Sequence, residues 1–421
     1  MNVTKYLVLF LTISSLLWMH AVASPTRVEY SKLLASDGNN PDQFGHDIAV
    51  FGNTAIISSY FDNTRGAVYA FQKDSMGVWQ QEDKFTASGL SNNAGFGQSL
   101  SLYERTAVVG AFQQNSLAGA AYVFSSDSNG NWTQISQLNP LEATSRFGNS
   151  SAIWDDTIIV GTAFSLPPLA STPGAAYVFS KDGSGWQRSA KLTANDGQAN
   201  DNFGWSVSLY GNRALVGAPF DDDLGSVSGS AYIFEHNGSS WQQVAKLNAS
   251  DGSESSIFGH AVSLWDNFAL IGAPGAGNGA AYLFHTDGNG NWNQIAKITP
   301  DDNAVNFGRS IALNGYNAVV AVRDVTSVGS AYLFQFDENG NWNEQAKLLP
   351  SDGVNGQIFG SSVALSGSDI FVGSEGDNQI GEIAGSAYVF RAIPEPTSTV
   401  LLCCLATLST ATHRGRLRVL N

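Results

Sequence analysis

The sequence predicts an all-β fold: a seven-bladed β-propeller of four-stranded blades, closed by the N-terminal strand completing the last blade. Three observations predict it. Phe-Gly recurs seven times, at Phe44, Phe96, Phe147, Phe203, Phe258, Phe307 and Phe359, at spacings of 49 to 56 residues. A period near 50 residues belongs to propellers and solenoids. Each Phe-Gly is followed by a small-apolar alternation, then by a variant of Gly-Ser/Ala-Ala-Tyr-x-Phe that ends at Phe71, Phe124, Phe179, Phe234, Phe284, Phe334 or Phe390. Six units then close on a segment loosely of the form Trp-x-Gln-x-x-Lys-Leu, beginning at Trp79, Trp132, Trp186, Trp241, Trp292 and Trp342. The seventh unit has no such segment, and Lys32-Leu33 near the N-terminus supplies it. That closure favours a ring over an open solenoid, because it leaves no incomplete blade with a bare edge.

The unit from Asp251 to Phe284 shows how each strand is read. In Phe258-Gly-His-Ala-Val-Ser-Leu264 large and small residues alternate, which is the period of a strand, with Phe258, His260, Val262 and Leu264 expected on one face. Ala269 to Ala273 is nearly all apolar, as a strand covered on both faces should be. Ala281 to Phe284 is the third strand and Trp292 to Ile298 the fourth, joined by the turn Asp287 to Asn291. Asp-Gly pairs at Asp37, Asp196, Asp251 and Asp352 mark further turns, since Asp binds its own backbone there.

Composition narrows the class. The chain has 421 residues and a formal net charge of −15, so nucleic acid is not expected as a partner. Its two cysteines, Cys403 and Cys404, both lie in the tail, so the repeats contain no disulfide. Lys5, the apolar run Tyr6 to Trp18 and Ala21-Val22-Ala23 form a signal peptide, with cleavage between Ala23 and Ser24. The domain reading is therefore a signal peptide over 1–23, the propeller over 24–392 and a tail over 393–421. In the tail, Ile393-Pro394-Glu395-Pro396 precedes an apolar tract, Val400 to Leu408, and a basic end with Arg414, Arg416 and Arg418. Pro394, Glu395 and Pro396, with the segments after them, resemble the PEP-CTERM sorting signal of bacterial envelope proteins. The resemblance implies an exosortase-like processing partner and a place on the cell-envelope surface or in the extracellular matrix.

The repeats resemble the FG-GAP family. Val216-Gly-Ala-Pro219 and Ile271-Gly-Ala-Pro274 match its second half best, while units 1 and 6 have lost it. The resemblance implies an integrin α-like propeller and a non-catalytic role in adhesion or binding, with an extracellular protein or polysaccharide as ligand. Calcium loops of the family do not carry over: Tyr210-Gly-Asn-Arg213 and Trp265-Asp-Asn-Phe268 are too short and too poor in carboxylates.

Two candidate sites emerge. The residue after each Phe-Gly varies, as His46, Gln98, Asn149, Trp205, His260, Arg309 and Ser361, and by symmetry these form a ring at the mouth of the central channel. The competing reading is that each packs or caps its own strand. Asp221-Asp222-Asp223 follows the best Gly-Ala-Pro motif; it reads as a solvated acidic loop or as a Ca²⁺ contact, with Asp62 and Asp377 in equivalent loops. Ca²⁺ is the one cofactor the sequence suggests. No nucleophile elbow, His-Glu-x-x-His or phosphate loop is present, so the sequence predicts no enzyme. The alternatives are a lectin-like propeller using Trp205, Phe112, Phe164 and Phe220 as stacking platforms, and a polysaccharide-acting enzyme dependent on His46 or His260.

Overall fold

Seven four-stranded antiparallel sheets follow one another along the chain, and each is a blade. This is a computed structural model, and it describes residues 27–162, 172–288, 290–302 and 304–392. The expected signal peptide with Ala23 and Ser24, the Pro394-Glu395-Pro396 tail and Phe164 lie outside the described residues. The last blade orders Arg27–Leu33 beside Ser386–Ala392, then Asp369–Ser374, then Phe359–Ser366, so the first strand closes the ring as expected. Lys32 fastens the closure by reaching Asp352 and Asp377, both at 2.6 Å. Blade 1 is tied to blade 7 as well, through Trp79 Nε1 donating to Asp369 at 2.9 Å.

Each blade has two unlike faces, and the core lies between blades. Phe258, Tyr282 and Phe284 of blade 5 pack with Leu215, Ala231 and Ile233 of blade 4 in one apolar cluster. Phe258 meets Tyr282 and Phe284 edge-on, at 5.5 and 6.1 Å between ring centroids. Edge-to-face is the geometry that aromatic quadrupoles favour. Phe258 is 1% exposed, a burial that stabilises by roughly 2–3 kcal/mol. The second strand, Phe268–Ala273, is buried from its second residue on, as expected for a strand covered on both faces.

One detail differs from the expected alternation. Phe258 enters the inter-blade core, whereas His260 lines the channel. The regular strand of this blade starts only at Ala261. Gly259, at φ +89°, turns the chain between them, and a turn breaks the period of two. In blade 1 the same kink is a bulge between Phe44 and Ile48. The Phe-Gly motif is therefore a switch that sends its Phe to the core and the next residue to the mouth.

The short loops behave as read. Tyr210 pairs with Arg213 and Trp265 with Phe268 across two-residue hairpins. Positive φ at Gly211 (58°) and Asp266 (50°) supplies the twist such turns need. Asp127 accepts from the backbone of Asn129 at 2.8 Å and Asn131 at 3.0 Å, so it serves its own turn.

Candidate functional site at the channel mouth

All seven residues that follow a Phe-Gly line one cavity of about 520 Å³: His46, Gln98, Asn149, Trp205, His260, Arg309 and Ser361. Two of them reach the next blade rather than capping their own strand. Asn149 Nδ2 donates to the carbonyl of Trp205 at 2.9 Å, and Ser361 Oγ to that of Gly45 at 2.9 Å. Trp205 lies 5.6 Å from both Phe220 and His260 between ring centroids. Phe112 is buried and has the Arg146 guanidinium 5.2 Å from its ring centroid, so it is no free platform.

The chemistry gathers at His46. Its Nδ1 is 2.7 Å from Oε2 of Glu375, a residue 329 positions away in the chain. Arg323 donates to the other oxygen, Oε1, from Nε at 3.1 Å and from an Nη at 2.5 Å. Tyr60 stacks on the imidazole at 4.7 Å. Burial pushes the Glu375 carboxyl up, but the His46 hydrogen bond and the charges of His46 and Arg323 outweigh it and hold the group at about 2. Burial pulls His46 down, and the Glu375 hydrogen bond and charge reverse that, leaving its pKa raised. An ionised Glu375 can only accept, so His46 carries its proton on Nδ1, and the lone pair of the neutral ring is on Nε2.

The second ring histidine is a different group. Burial and the charge of Arg309 bring His260 down to about 4, so it is neutral. Its Nδ1 is buried with no hydrogen-bond partner among the described residues. Asp47, beside His46, is pushed up to about 6 by burial, against hydrogen bonds from the backbone of Leu100 and Ile48.

Sequence reasoning missed Glu375, Arg323 and Arg146, which also line the mouth. A signal was present for two of them. Arg323 and Glu375 follow the second strands Asn317–Val322 and Asp369–Ser374, at the position that Pro219 and Pro274 hold in the best Gly-Ala-Pro units.

Asp221, Asp222 and Asp223 lie away from this cavity. Asp221 accepts from the Tyr232 hydroxyl at 2.8 Å and from Ser230 at 2.9 Å. Lys246 Nζ donates to Asp221 at 3.1 Å, to Asp196 at 2.7 Å, and to Asp223. An internal ammonium thus stands at the acidic loop. Asp62 and Asp377 do not converge with it: Asp62 binds Tyr69 and Lys84, and Asp377 binds Tyr388 and Lys32, each within its own blade. The described residues include no group of three or more His, Cys, Asp or Glu arranged to hold a metal ion.

The Asp-Gly pairs make the same kind of contact. Asp37, Asp196 and Asp251 each pair with a fourth-strand lysine, Lys84, Lys246 and Lys297, and Asp352 pairs with Lys32 of the closing strand. These four carboxylates are about half exposed, so each pair contributes little by itself. Asp221 is different, with its side chain only 4% exposed. Replacing Lys246 with Met leaves that charge buried with its cation gone, and we expect a loss of about 3 kcal/mol, read as a lower urea midpoint. An unchanged midpoint would show that Lys246 is not what compensates Asp221.

A family model described as FG-GAP repeat matches residues 28–71, 79–124, 186–234, 241–284, 292–334 and 342–390. The third unit, which includes Phe147 and Phe179, falls between the matches. A search of the curated proteins finds no match. Among solved structures, the chain is similar to the periplasmic gluconolactonase PpgL of Pseudomonas aeruginosa, at 15% identity and a TM-score of 0.53. That likeness covers 79% of this chain and 90% of the other. A putative 6-phosphogluconolactonase from Bacteroides uniformis matches at 14% identity and a TM-score of 0.52, over 76% of this chain and 89% of that one.

These neighbours correct the expectation of a non-catalytic adhesion propeller and of no enzyme. That expectation took the repeat for a binding scaffold and leaned on missing linear motifs. Lactonases use the same ring, at identities that establish the fold and not the reaction. Linear motifs are also the wrong place to look, because the pair at the mouth joins residues 329 positions apart. What the matched repeats and the seven closed blades establish together is that this chain belongs to the FG-GAP repeat family of β-propellers.

Proposed function

We propose that the channel mouth is the active site of a hydrolase acting on a small cyclic ester of a polyhydroxylated acid, a sugar-acid lactone. One observation carries this reading: His46 Nδ1 is held at 2.7 Å by the buried, ionised Glu375 in a cavity of about 520 Å³. A carboxylate that fixes the tautomer leaves Nε2 as a general base, the arrangement by which histidine serves in catalysis. Nε2 takes a proton from water as the water oxygen bonds to the lactone carbonyl. The ring C–O bond then breaks, and the departing alkoxide takes the proton back from the imidazolium, giving the open hydroxy acid. Arg323, already bound to Glu375, supplies positive charge to the developing oxyanion. The cavity volume suits a monosaccharide derivative rather than a polymer chain. The two structural neighbours, a gluconolactonase and a putative 6-phosphogluconolactonase, support the same class.

Export to the envelope is part of the proposal, on the strength of the expected N-terminal leader and of the periplasmic location of PpgL. So is sorting through Pro394-Glu395-Pro396. The test is hydrolysis of glucono-δ-lactone by purified residues 24–392, followed as acid release above the spontaneous rate. The base is the neutral imidazole and its pKa is raised, so kcat/KM should climb with pH to a plateau, with a midpoint above 6.5. In Glu375→Gln the support for the charged ring is gone, and the midpoint should move down. No rate above background with any sugar lactone would sink the reading.

A further inference from the structure

The mouth has the opposite sign of charge to the chain. The protein has a formal net charge of −15, yet Arg146, Arg309 and Arg323 all line this one cavity. The acidic groups in the lining are Asp47 and Glu375. Glu375 is bound by His46 and Arg323, and burial pushes Asp47 up to about 6. Arg146 is packed against Phe112, and Arg323 is paired with Glu375 beside His46.

Arg309 is the exception. It is exposed at the mouth, and no hydrogen bond or ion pair is found for its guanidinium among the described residues. Arg309 and Arg323 line the same cavity, where partial desolvation and the charge of Arg323 lower the Arg309 pKa against the opposing charge of Glu375. An anion bound at Arg309 gives its guanidinium the acceptor that the described residues do not supply. Arginine presents a planar fork of donors that matches phosphate and carboxylate oxygens.

From this juxtaposition we propose that the mouth selects sugar derivatives carrying an oxyanion, a phosphate or a carboxylate, remote from the reacting ester, and that Arg309 is the residue that anchors it. The proposal rests on the hydrolase reading for the identity of the reacting end, while anion capture by Arg309 is a binding event of its own. The surrounding acidic surface excludes anions elsewhere, so the cationic mouth also determines where such a ligand docks.

Binding is measured apart from turnover, by titration calorimetry of residues 24–392 with glucose, glucose 6-phosphate and glucuronate at 50 mM salt. Both anions are expected to bind at least tenfold more tightly than glucose. Arg309→Met should remove that preference, Arg309→Lys should keep part of it, and 500 mM salt should weaken it. Preference for glucose 6-phosphate alone assigns the subsite to phosphate, and preference for glucuronate alone assigns it to carboxylate. Equal affinities, no binding of either anion, or a preference that survives in Arg309→Met would overturn the proposal. Anion preference without hydrolysis of any lactone would leave this site standing and remove the hydrolase reading. Hydrolysis without anion preference would do the reverse.

Discussion

Replacing His46 with Ala is expected to lower kcat for lactone hydrolysis by about 10²- to 10⁴-fold, the contribution of a positioned general base. The fold should survive the change. His46 is half-buried, and Glu375 keeps Arg323 as a partner when the imidazole is gone. Circular dichroism and the urea midpoint serve as controls for that. His260 offers an internal comparison, since it holds the same repeat position in blade 5. Among the described residues no carboxylate bonds to its ring, and its pKa is brought down to about 4. His260→Ala should therefore change kcat less than tenfold. If both variants lose activity equally, the His46–Glu375 pair is not the source of the chemistry. If neither does, the active site lies elsewhere.

Replacing Gly148 with Ala is expected to have a large effect on stability, a loss of more than about 4 kcal/mol. Gly148 is the glycine of the third Phe-Gly, with φ +88°. A Cβ built there would lie 2.2 Å from the carbonyl oxygen of Ala120, in the third strand of the preceding blade. Left-handed backbone alone penalises an L side chain by about 1–3 kcal/mol. The contact adds more, because the colliding atom is main chain in a buried strand and cannot turn aside. Gly183 is the control: it sits in an outer hairpin with nothing within 4 Å of a built Cβ and no positive φ. Gly183→Ala should change the urea midpoint by less than about 0.5 kcal/mol in equivalent stability. Soluble expression at wild-type yield with an unchanged midpoint for Gly148→Ala would contradict the close inter-blade approach.

The close approach of neighbouring blades also explains why the repeat could be recognised from the sequence. The isolated parallel bridges pair Gly119 with Phe147, Gly174 with Phe203 and Gly229 with Phe258, so one glycine-phenylalanine step recurs between neighbouring blades. A residue that must fit the same space in each repeat leaves the same letter at each period. The Tyr and Phe of the third strand recur because they close on that Phe from within the blade. Ring closure was legible for a like reason: Lys32-Leu33 has the ending that the seventh unit lacks, and Lys32 makes the ion pairs that Lys246 makes in blade 4.

The sequence by itself determined the seven blades, their four strands, the closing strand and the ring of variable residues at the mouth. Each of these is written in local, repeated chemistry: a period of two, a turn glycine, an apolar strand. Only the tertiary structure decided which residues act together. His46 and Glu375 are 329 positions apart, and a ring places the first and last blades side by side whatever their separation along the chain. It also decided the charge of the site. Basic residues that look scattered through the repeats converge as Arg146, Arg309 and Arg323 on one cavity, while Asp221 and Asp223 of the acidic loop are bound by Lys246. The physical reason is that Coulomb forces and hydrogen bonds act over a few ångströms through space, so residues that depart from the repeat gain their meaning from their neighbours in the ring.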